Sequence, residues 1–486
     1  MFLTNNSRPE ATRRVLSCLS ATLAAAFSYP AHGNNQAGID SSESSEFVIA
    51  QAPRDHACLS QPPQTQLNLL NVLCLAVLSS NKLKRADGIV QEHHGSKLKS
   101  VGAYLPTITF GGNINRFGKS VHFNDFPRNN YSLDGRSSGL NISLNWLLHD
   151  FGLRRANLAR TVHLIEAAAL DREQVIRETL IAAADTYFNA EAARVLLREA
   201  VESERNASEN AEIANVLMSQ GAGSISDKLL AQNASDQATL KRPDAENDLA
   251  VALADISTVI GQRRDFIPDI VDRPAALSSV REALARPVWD IDYVHQSPRV
   301  LRIREEVLAA RSHLAAARAQ SMPTLAFVAS AYHDATPPSQ STVAQTVRGW
   351  SLGLQLRIPL FDGFVRRSGL AAAQAQLYQK QMELQEVERE VESTIWTSRQ
   401  SLIQKAKKIE VVDRISSNAQ LAYRAAQARY KNGVGSMLEL LKSQSDLSDA
   451  RRIVATSYRD WEMAKLRFSL EIGRARYTDQ LDNRGL

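Results

Sequence analysis

The sequence predicts a mainly α-helical protein that also contributes strands to a membrane β-barrel. The first observation is a duplication, because short motifs recur 212 residues further on, as Asp150 does at Asp362 and Gly221 does at Gly433. The second is a segment of 68 residues, 153–220, that contains neither glycine nor proline. The third is alternation of large apolar with small or polar residues in short runs, which is typical of strands with two unlike faces.

The duplication defines a repeating unit of helix, two strands, long helix and second helix. Repeat 1 covers residues 61–261, with strands at about 106–117 and 138–149. Repeat 2 covers residues 290–473, with strands at about 323–334 and 348–361. Residues 262–289 are the expected inter-repeat linker, and 474–486 a C-terminal tail.

Residues 1–33 have the layout of a secretory signal peptide, with two arginines, an apolar stretch and a small-residue cleavage site. A membrane anchor, or lipidation at Cys18, is the alternative, although most of the apolar stretch follows that cysteine. Residues 34–60 form an N-terminal extension. Export would leave Cys58 and Cys74 as the two cysteines of the mature chain, able to form a disulfide or to remain free thiols.

Composition excludes several classes of protein. The 486 residues carry a net charge of +5 that is spread along the chain, so the clustered basic stripe of a nucleic-acid-binding protein is absent from the sequence. Mean hydropathy is −0.26, and beyond residue 33 no apolar run approaches the length of a membrane-spanning helix. We expect neither a multi-helix membrane protein nor a nucleic-acid partner.

The second strand run of each repeat is about ten residues long, which suits a tilted membrane-spanning strand. Their large apolar side chains are predicted to face lipid: Leu140, Ile142, Leu144, Trp146, Leu352, Leu354 and Leu356. Four strands cannot close a barrel, and an open sheet edge cannot lie in hydrocarbon. Two chains would supply eight strands, which form a barrel nearly filled by its own side chains. Three chains would supply twelve strands, and a barrel of that size leaves a lumen. The alternative is a soluble β-sandwich that caps a helical stalk.

The glycine-free segment would be about 100 Å long as a single helix, which requires a coiled-coil-like or tubular body. Pro243 lies within the next predicted helix and should kink or break it. Its counterpart in repeat 2 is Ala455.

The order of these elements, given twice, resembles the TolC family of outer-membrane factors, and within it the type I secretion branch. The residues that carry the branch resemblance are Cys58, Leu73-Cys74-Leu75-Ala76, Tyr104-Leu105-Pro106-Thr107 and 145–152. The resemblance implies a homotrimer with a twelve-stranded barrel in the outer membrane and an α-helical tunnel in the periplasm. It also implies docking onto a periplasmic adaptor and an inner-membrane ABC transporter, without cofactors and without chemistry of its own.

In each repeat, one Gly-x-Gly-Ser turn joins the long predicted helix to the helix that follows it. Ser224 with Asp227, and Ser436 with Glu439, have the spacing of capping boxes. The resemblance places these turns at the periplasmic tip of the tunnel. It makes Asp227 and Glu439 candidates for a pore constriction, where a ring of like charge would favour cations.

The resemblance also implies that an adaptor docks at the same tip. The candidate docking residues are Gly221, Gly223, Ser224, Arg429, Gly433, Gly435 and Ser436. Two positions depart from the family pattern. Leu217 stands where an arginine equivalent to Arg429 is expected, and Lys442 replaces a further acidic residue.

The sequence offers no convincing catalytic or metal site. Gly118-Lys119-Ser120 lacks the first glycine of a phosphate loop and is expected in a hairpin loop, and His93-His94 is expected on a solvated helix face. We predict an exit duct for type I secretion of a protein such as a toxin, and not an enzyme. The alternatives are the outer-membrane component of a drug efflux pump, a periplasmic adaptor and a secreted coiled-coil protein.

Overall fold

The computed structural model describes residues 66–121, 131–263, 266–270, 292–336 and 345–472. The helices are α1 (Leu69–Ser79), α2 (Asn81–Gly102), α3 (Leu153–Ser219), α4 (Ile225–Val259), α5 (Asp292–His295), α6 (Pro298–Ala319), α7 (Val365–Lys431) and α8 (Met437–Glu471). The strands are β1 (Gln66–Leu67), β2 (Thr107–Val121), β3 (Tyr131–His149), β4 (Asp269–Ile270), β5 (Thr324–Thr336) and β6 (Gln345–Arg357). The signal peptide, the N-terminal extension, most of the linker and the tail lie outside the described residues.

The two repeats have helices of equal length. Helices α3 and α7 each contain 67 residues, and α4 and α8 each contain 35. At 1.5 Å per residue the longer pair reaches about 100 Å. Each long helix packs against its shorter successor as an antiparallel hairpin, and α2, α3, α6 and α7 pack side by side in that order.

Four strands form one antiparallel sheet in the order β2-β3-β5-β6. The central pairing of β3 with β5 joins the two repeats, and β2 and β6 are the edges. Helices connect at one end of all four strands, since α2 and α6 precede β2 and β5 while α3 and α7 follow β3 and β6. We call this the proximal end of the sheet and the opposite end the distal end.

The first hairpin is longer than the sequence suggested. Gly118-Lys119-Ser120 belongs to β2 and pairs with Asp134-Leu133-Ser132, so the expectation of a loop there was wrong. The antiparallel ladder continues because nothing in this stretch interrupts its hydrogen bonds. In repeat 2, β6 ends at Arg357 and not at 361, because Pro359 has no N–H to donate and restrains Ile358 before it.

The Asp-Gly turns attach strands to helices in the same way in both repeats. The Asp150 carboxylate accepts hydrogen bonds from the backbone N–H and the Nε of Arg154, both at 2.9 Å. Arg154 Nη1 donates to the carbonyl oxygen of Leu147 at 2.7 Å. In repeat 2, Arg366 binds Asp362 through Nε at 2.7 Å and the Pro359 carbonyl at 2.9 Å. One arginine therefore fixes the end of a strand and the start of the next helix.

A core lies beside the middle of the long helices, where α1, α3, α4 and α8 meet the short β1–β4 pair. Small residues permit close helix packing, since Ala183, Ala184 and Ala190 have no exposed surface. The parallel pairing of Gln66–Leu67 with Asp269–Ile270 was not foreseen from the sequence. Cys74 is buried here and disulfide-bonded, but Cys58 lies outside the described residues, so their pairing stays a prediction.

Pro243 does not break its helix, because α4 runs without interruption from Ile225 to Val259. The expectation of a break was wrong. Packing against α3 holds both sides of the proline, and Arg242 binds Glu204 at 3.4 Å and Glu246 at 2.9 Å. Pro243 itself is exposed, so the lost helical hydrogen bond leaves a carbonyl that water can reach.

Among the described residues, no helix combines the length and the apolar character needed to cross a membrane. The same residues contain no group of His, Cys, Asp and Glu side chains that could hold a metal ion. His94 is exposed and His93 half-buried on α2.

Candidate functional site

One face of the sheet is apolar and open. Leu352, Leu354 and Leu356 on β6 are 64%, 67% and 61% exposed, and Leu140, Ile142 and Trp146 on β3 are also exposed, with Leu144 half-buried. The strand register places all seven predicted residues on this same face. A large apolar surface on a folded sheet marks contact with protein or lipid.

Strand β2 extends this apolar face, although we did not predict it to do so. Ile108, Phe110 and Ile114 are 67%, 70% and 86% exposed, and Ile108 and Phe110 lie opposite Leu144 and Ile142. The sequence signal was the alternation of apolar and polar residues, but Gly112 interrupts it at a position on the apolar face.

The other face of the sheet is polar. Thr109, Ser143, Ser330 and Ser351 lie in one row across all four strands. Thr109 Oγ1 lies 2.6 Å from Ser143 Oγ, and Ser330 Oγ lies 2.8 Å from Ser351 Oγ, so the hydroxyl groups are hydrogen-bonded in pairs. Further polar residues on this face are Asn113, Asn141, Asn145 and Asp334. Such a face is suited to water.

The helix turns at 220–224 and 432–436 form the opposite end of the two long hairpins. Gly221 and Gly433 have positive φ angles of 77° and 74°, which glycine adopts without steric cost. A Cβ on Gly435 would lie 3.0 Å from the backbone nitrogen of Tyr430, and Gly223 is equally crowded. The two glycines of each motif therefore meet different steric demands.

Each turn ends in a serine that caps the following helix. Ser224 Oγ accepts from the backbone N–H of Asp227 at 3.0 Å, and Ser436 Oγ accepts from that of Glu439 at 3.2 Å. These bonds are the serine half of the expected capping boxes.

The candidate acidic residues differ between the two turns. Glu439 binds Arg429 Nη1 at 3.0 Å, with both side chains about half exposed. The sequence predicts separate roles for these two residues and does not indicate a contact across the turn. Lys442 binds Asp446 at 2.7 Å. Burial, and after it the negative charge of Asp227, raises the pKa of Tyr430.

Near the tip, a buried polar cluster joins the two hairpins. Asn210 on α3 has no exposed surface, and its Nδ2 donates to Gln444 Oε1 on α8 at 2.8 Å. Gln427 on α7 donates to Asn210 Oδ1 at 3.1 Å and to the Tyr423 hydroxyl at 3.3 Å. Burial raises the pKa of Tyr423, which keeps its hydroxyl neutral. Hydrogen bonding of every member makes such a buried layer specific for one arrangement of helices.

A charged cluster continues the same interface toward the middle of the helices. Arg451 on α8 binds Glu199 at 2.7 Å and Glu202 at 2.8 Å on α3, and donates to Gln420 on α7 at 2.6 Å. Burial raises the pKa of Glu199, although the Arg451 hydrogen bond opposes that shift. Two hairpins are thus held together along one side by polar contacts.

The arrangement combines a two-faced sheet with long helical hairpins, and comparison with known proteins decides its family. The sequence model of the outer membrane efflux protein family matches residues 102–262 and 293–473, which is most of the chain and covers both repeats. The chain belongs to this family. The fold is that of its outer-membrane channels, mostly helical with a small barrel-forming sheet, and the periplasmic-adaptor and β-sandwich alternatives are set aside.

Individual relatives agree with the family. Protein CyaE of Bordetella pertussis is 28% identical over 85% of this chain and 87% of its own length. Outer membrane efflux protein BepC of Brucella suis is 26% identical over 75% of each chain. Among solved structures, the channel CusC matches with a TM-score of 0.72 and 16% identity, covering 83% of this chain and 91% of that one.

Proposed function

We propose that this outer-membrane channel is the exit duct of a tripartite type I secretion system that exports a protein such as a toxin. The observation that carries the proposal is the four-stranded sheet, apolar on one face and polar on the other, joined at one end to helices about 100 Å long. The resemblance of the sequence to the type I secretion branch supports protein secretion, as does the similarity to the proteases secretion protein PrtF of Dickeya chrysanthemi, which is 25% identical over 50% of this chain. The duct lies in the outer membrane with its helices in the periplasm.

A homotrimer completes the duct. Strands β2 and β6 are sheet edges, and unpaired edge groups are too costly in hydrocarbon. Three copies supply twelve strands around a lumen, with the polar face inward. The outer helices of the side-by-side row, α2 and α7, also carry exposed apolar residues for contacts between copies: Ile89, Leu98, Val101, Tyr378 and Met382.

The tip turns bind a periplasmic adaptor, which links the duct to an inner-membrane ABC transporter. The docking residues are those of the two Gly-x-Gly-Ser turns together with Arg429, which is 57% exposed at its side chain. Leu217 gives the first turn a different surface from the second, so the two docking grooves of one chain are unequal.

Asp227 and Glu439 form the pore constriction in this proposal. Three chains place six carboxylates there, and a ring of like charge favours cations. The Arg429–Glu439 ion pair reduces the charge contributed by the second turn. Asp227 therefore contributes more to cation preference than Glu439 does.

Single-channel conductance of the purified protein in a planar bilayer tests the duct. We expect discrete, cation-preferring steps, and a larger loss of cation preference in Asp227→Asn than in Glu439→Gln. Lys442→Gln, at an exposed position in the same region, removes a positive charge instead and should not lower the cation preference. If neither the wild type nor a Glu439→Ala variant conducts, the proposed duct is wrong.

A small-molecule efflux component is the second candidate, favoured by the family description and by the similarity to BepC. The two functions are separated in a strain that lacks its own exit ducts. Restored secretion of a type I protein substrate supports our proposal, whereas restored drug resistance without secretion supports efflux.

A further inference from the structure

The exposed apolar side chains of the sheet form a band across its apolar face, which we call the outward face. Beyond this band, three arginines lie on the same face. The register places Arg116 directly opposite Arg136, and Arg348 in the row of Leu140. All three are exposed. They lie toward the distal end of the sheet, on the far side of the band from the helices.

The arginines begin where the apolar side chains stop. On β2 the last outward apolar residue is Ile114, and Arg116 is the next outward residue. On β6 the last is Trp350, and the next is Arg348. These boundaries are offset by four residues between the two edge strands, about 13 Å along the strand, as expected when tilted strands cross a flat layer.

Within the described part of the chain, the three guanidinium groups have no acidic ion-pair partner. Arg348 Nε donates to His333 Nδ1 at 3.1 Å, a bond to a neutral acceptor that leaves the positive charge uncompensated. Arg116 and Arg136 form a cross-strand pair of like charge, which is destabilising by itself.

The proximal boundary of the same face has a different character. The outward residues there are Leu325, Leu356 and Ile358, followed by Phe361 and Phe364 in the turn, and none is charged. The outward arginines of the strands are therefore confined to the distal end of the band, whereas Arg154 and Arg366 in the proximal turns are paired with Asp150 and Asp362. An asymmetric membrane, whose two leaflets differ in headgroup charge, matches this distribution.

We propose that Arg116, Arg136 and Arg348 bind the phosphate groups of a phosphorylated glycolipid in the outer leaflet. The inference rests on the proposed membrane position of the sheet. Arginine is suited to this contact because its planar group donates two parallel hydrogen bonds to phosphate. A phosphate between Arg116 and Arg136 relieves their repulsion. In the trimer, β6 of one copy lies beside β2 of the next, so Arg348 joins this pair in a shared site at each of the three seams.

The test measures binding of bisphosphorylated lipid A to the detergent-purified full chain by native mass spectrometry. Arg116→Gln, Arg136→Gln and Arg348→Gln are combined in one variant. A basic residue near an anionic surface changes affinity by about fivefold, so the triple variant should bind about a hundredfold more weakly. Dephosphorylated lipid A should bind the wild type as weakly as the variant binds the phosphorylated form.

A matched control carries the same charge change elsewhere, as Arg389→Gln, Arg424→Gln and Arg452→Gln on exposed positions of α7 and α8. It should bind lipid A as the wild type does. Equal loss in the control, unchanged binding in the triple variant, or equal affinity for phosphatidylglycerol each overturns the proposal.

Conductance of the triple variant separates this inference from the function on which it rests. A variant that conducts normally but loses lipid A supports the lipid site. If the wild type binds lipid A but neither it nor the Glu439→Ala variant conducts, the duct is rejected and the lipid site is left standing.

Discussion

At the scale of single residues, the tip depends on glycines that tolerate no side chain. Gly435 adopts no unusual φ, yet its Cα lies so close to the preceding helix that a methyl group would meet the backbone nitrogen of Tyr430 at 3.0 Å and Arg429 Cβ at 3.1 Å. The neighbours are backbone and a Cβ, which cannot rotate away.

We expect Gly435→Ala to destabilise the tip by about 1–3 kcal/mol, the usual cost of overpacking. The measurement is the rate of trypsin cleavage after Lys431, which reports local opening. Gly369→Ala is the control, because a methyl there meets no neighbouring atom and alanine favours the helix by about 1 kcal/mol. Similar cleavage rates in both variants would contradict the steric argument.

Tyr458 provides a test by pH. Burial, together with the hydrogen bond from its hydroxyl to Asp413 Oδ2 at 3.0 Å, raises the pKa of Tyr458 to about 12. The folded chain holds this proton more tightly than the unfolded chain does, so the contribution to stability is complete below about pH 10 and is lost as pH rises toward 12. A difference ultraviolet titration between the wild type and Tyr458→Phe should show one tyrosinate forming near pH 12. A midpoint near 10 would show that the hydroxyl is not held in this way.

At the scale of elements, duplication supplies internal controls, because equivalent helices differ at known positions. Helix α4 carries the exposed Pro243, whereas α8 carries Ala455, which is 6% exposed, at the equivalent place. Tertiary packing overrides the local preference of proline in α4, but it does not remove the cost of the missing hydrogen bond.

Pro243→Ala should raise the thermal unfolding midpoint, since alanine is favoured over proline in a helix interior by about 3 kcal/mol, a difference that includes the missing hydrogen bond. The reciprocal change, Ala455→Pro, should lower the midpoint by at least as much, because that position is also packed. Both are followed by circular dichroism at 222 nm, the helix signal. A lower midpoint for Pro243→Ala would mean that the proline stabilises the helical hairpin.

Periodicity and duplication were sufficient to predict the main elements of the fold from the sequence. The paired long helices and the outward leucines follow from local patterns repeated at a constant spacing. The β1–β4 pair was missed because two-residue strands have no periodicity, and the outward residues of β2 because Gly112 interrupts them. The contacts of Asn210 with Gln444 and of Arg429 with Glu439 need the packing of helices and turns, which local patterns do not contain.

At the scale of the whole molecule, the proposed duct requires the sheet to divide lipid from water. Leu354 lies on the apolar face and Ser351 on the polar face of the same strand. In the proposed duct, a charge at the first position would enter hydrocarbon, whereas a charge at the second would meet the lumen.

Leu354→Lys should prevent assembly in the outer membrane, because a lysine facing lipid near the bilayer midplane costs about 2–4 kcal/mol at each of three equivalent sites. Ser351→Lys should still assemble and change only conduction. The readout is the amount of heat-sensitive oligomer in the outer-membrane fraction. Normal assembly of both variants would show that the apolar face does not contact lipid.

The pairing of β3 with β5 also has a consequence for the biogenesis of the chain. Strand β3 ends at His149 and its partner β5 begins only at Thr324, so the first hairpin leaves the translocation machinery long before the second exists. During that interval the apolar face of the first hairpin and the unpaired edge of β3 are exposed together, and such surfaces promote aggregation. We therefore expect the nascent chain to depend on a periplasmic holdase, and a translocation arrest between the two hairpins to yield a species that such a chaperone retains.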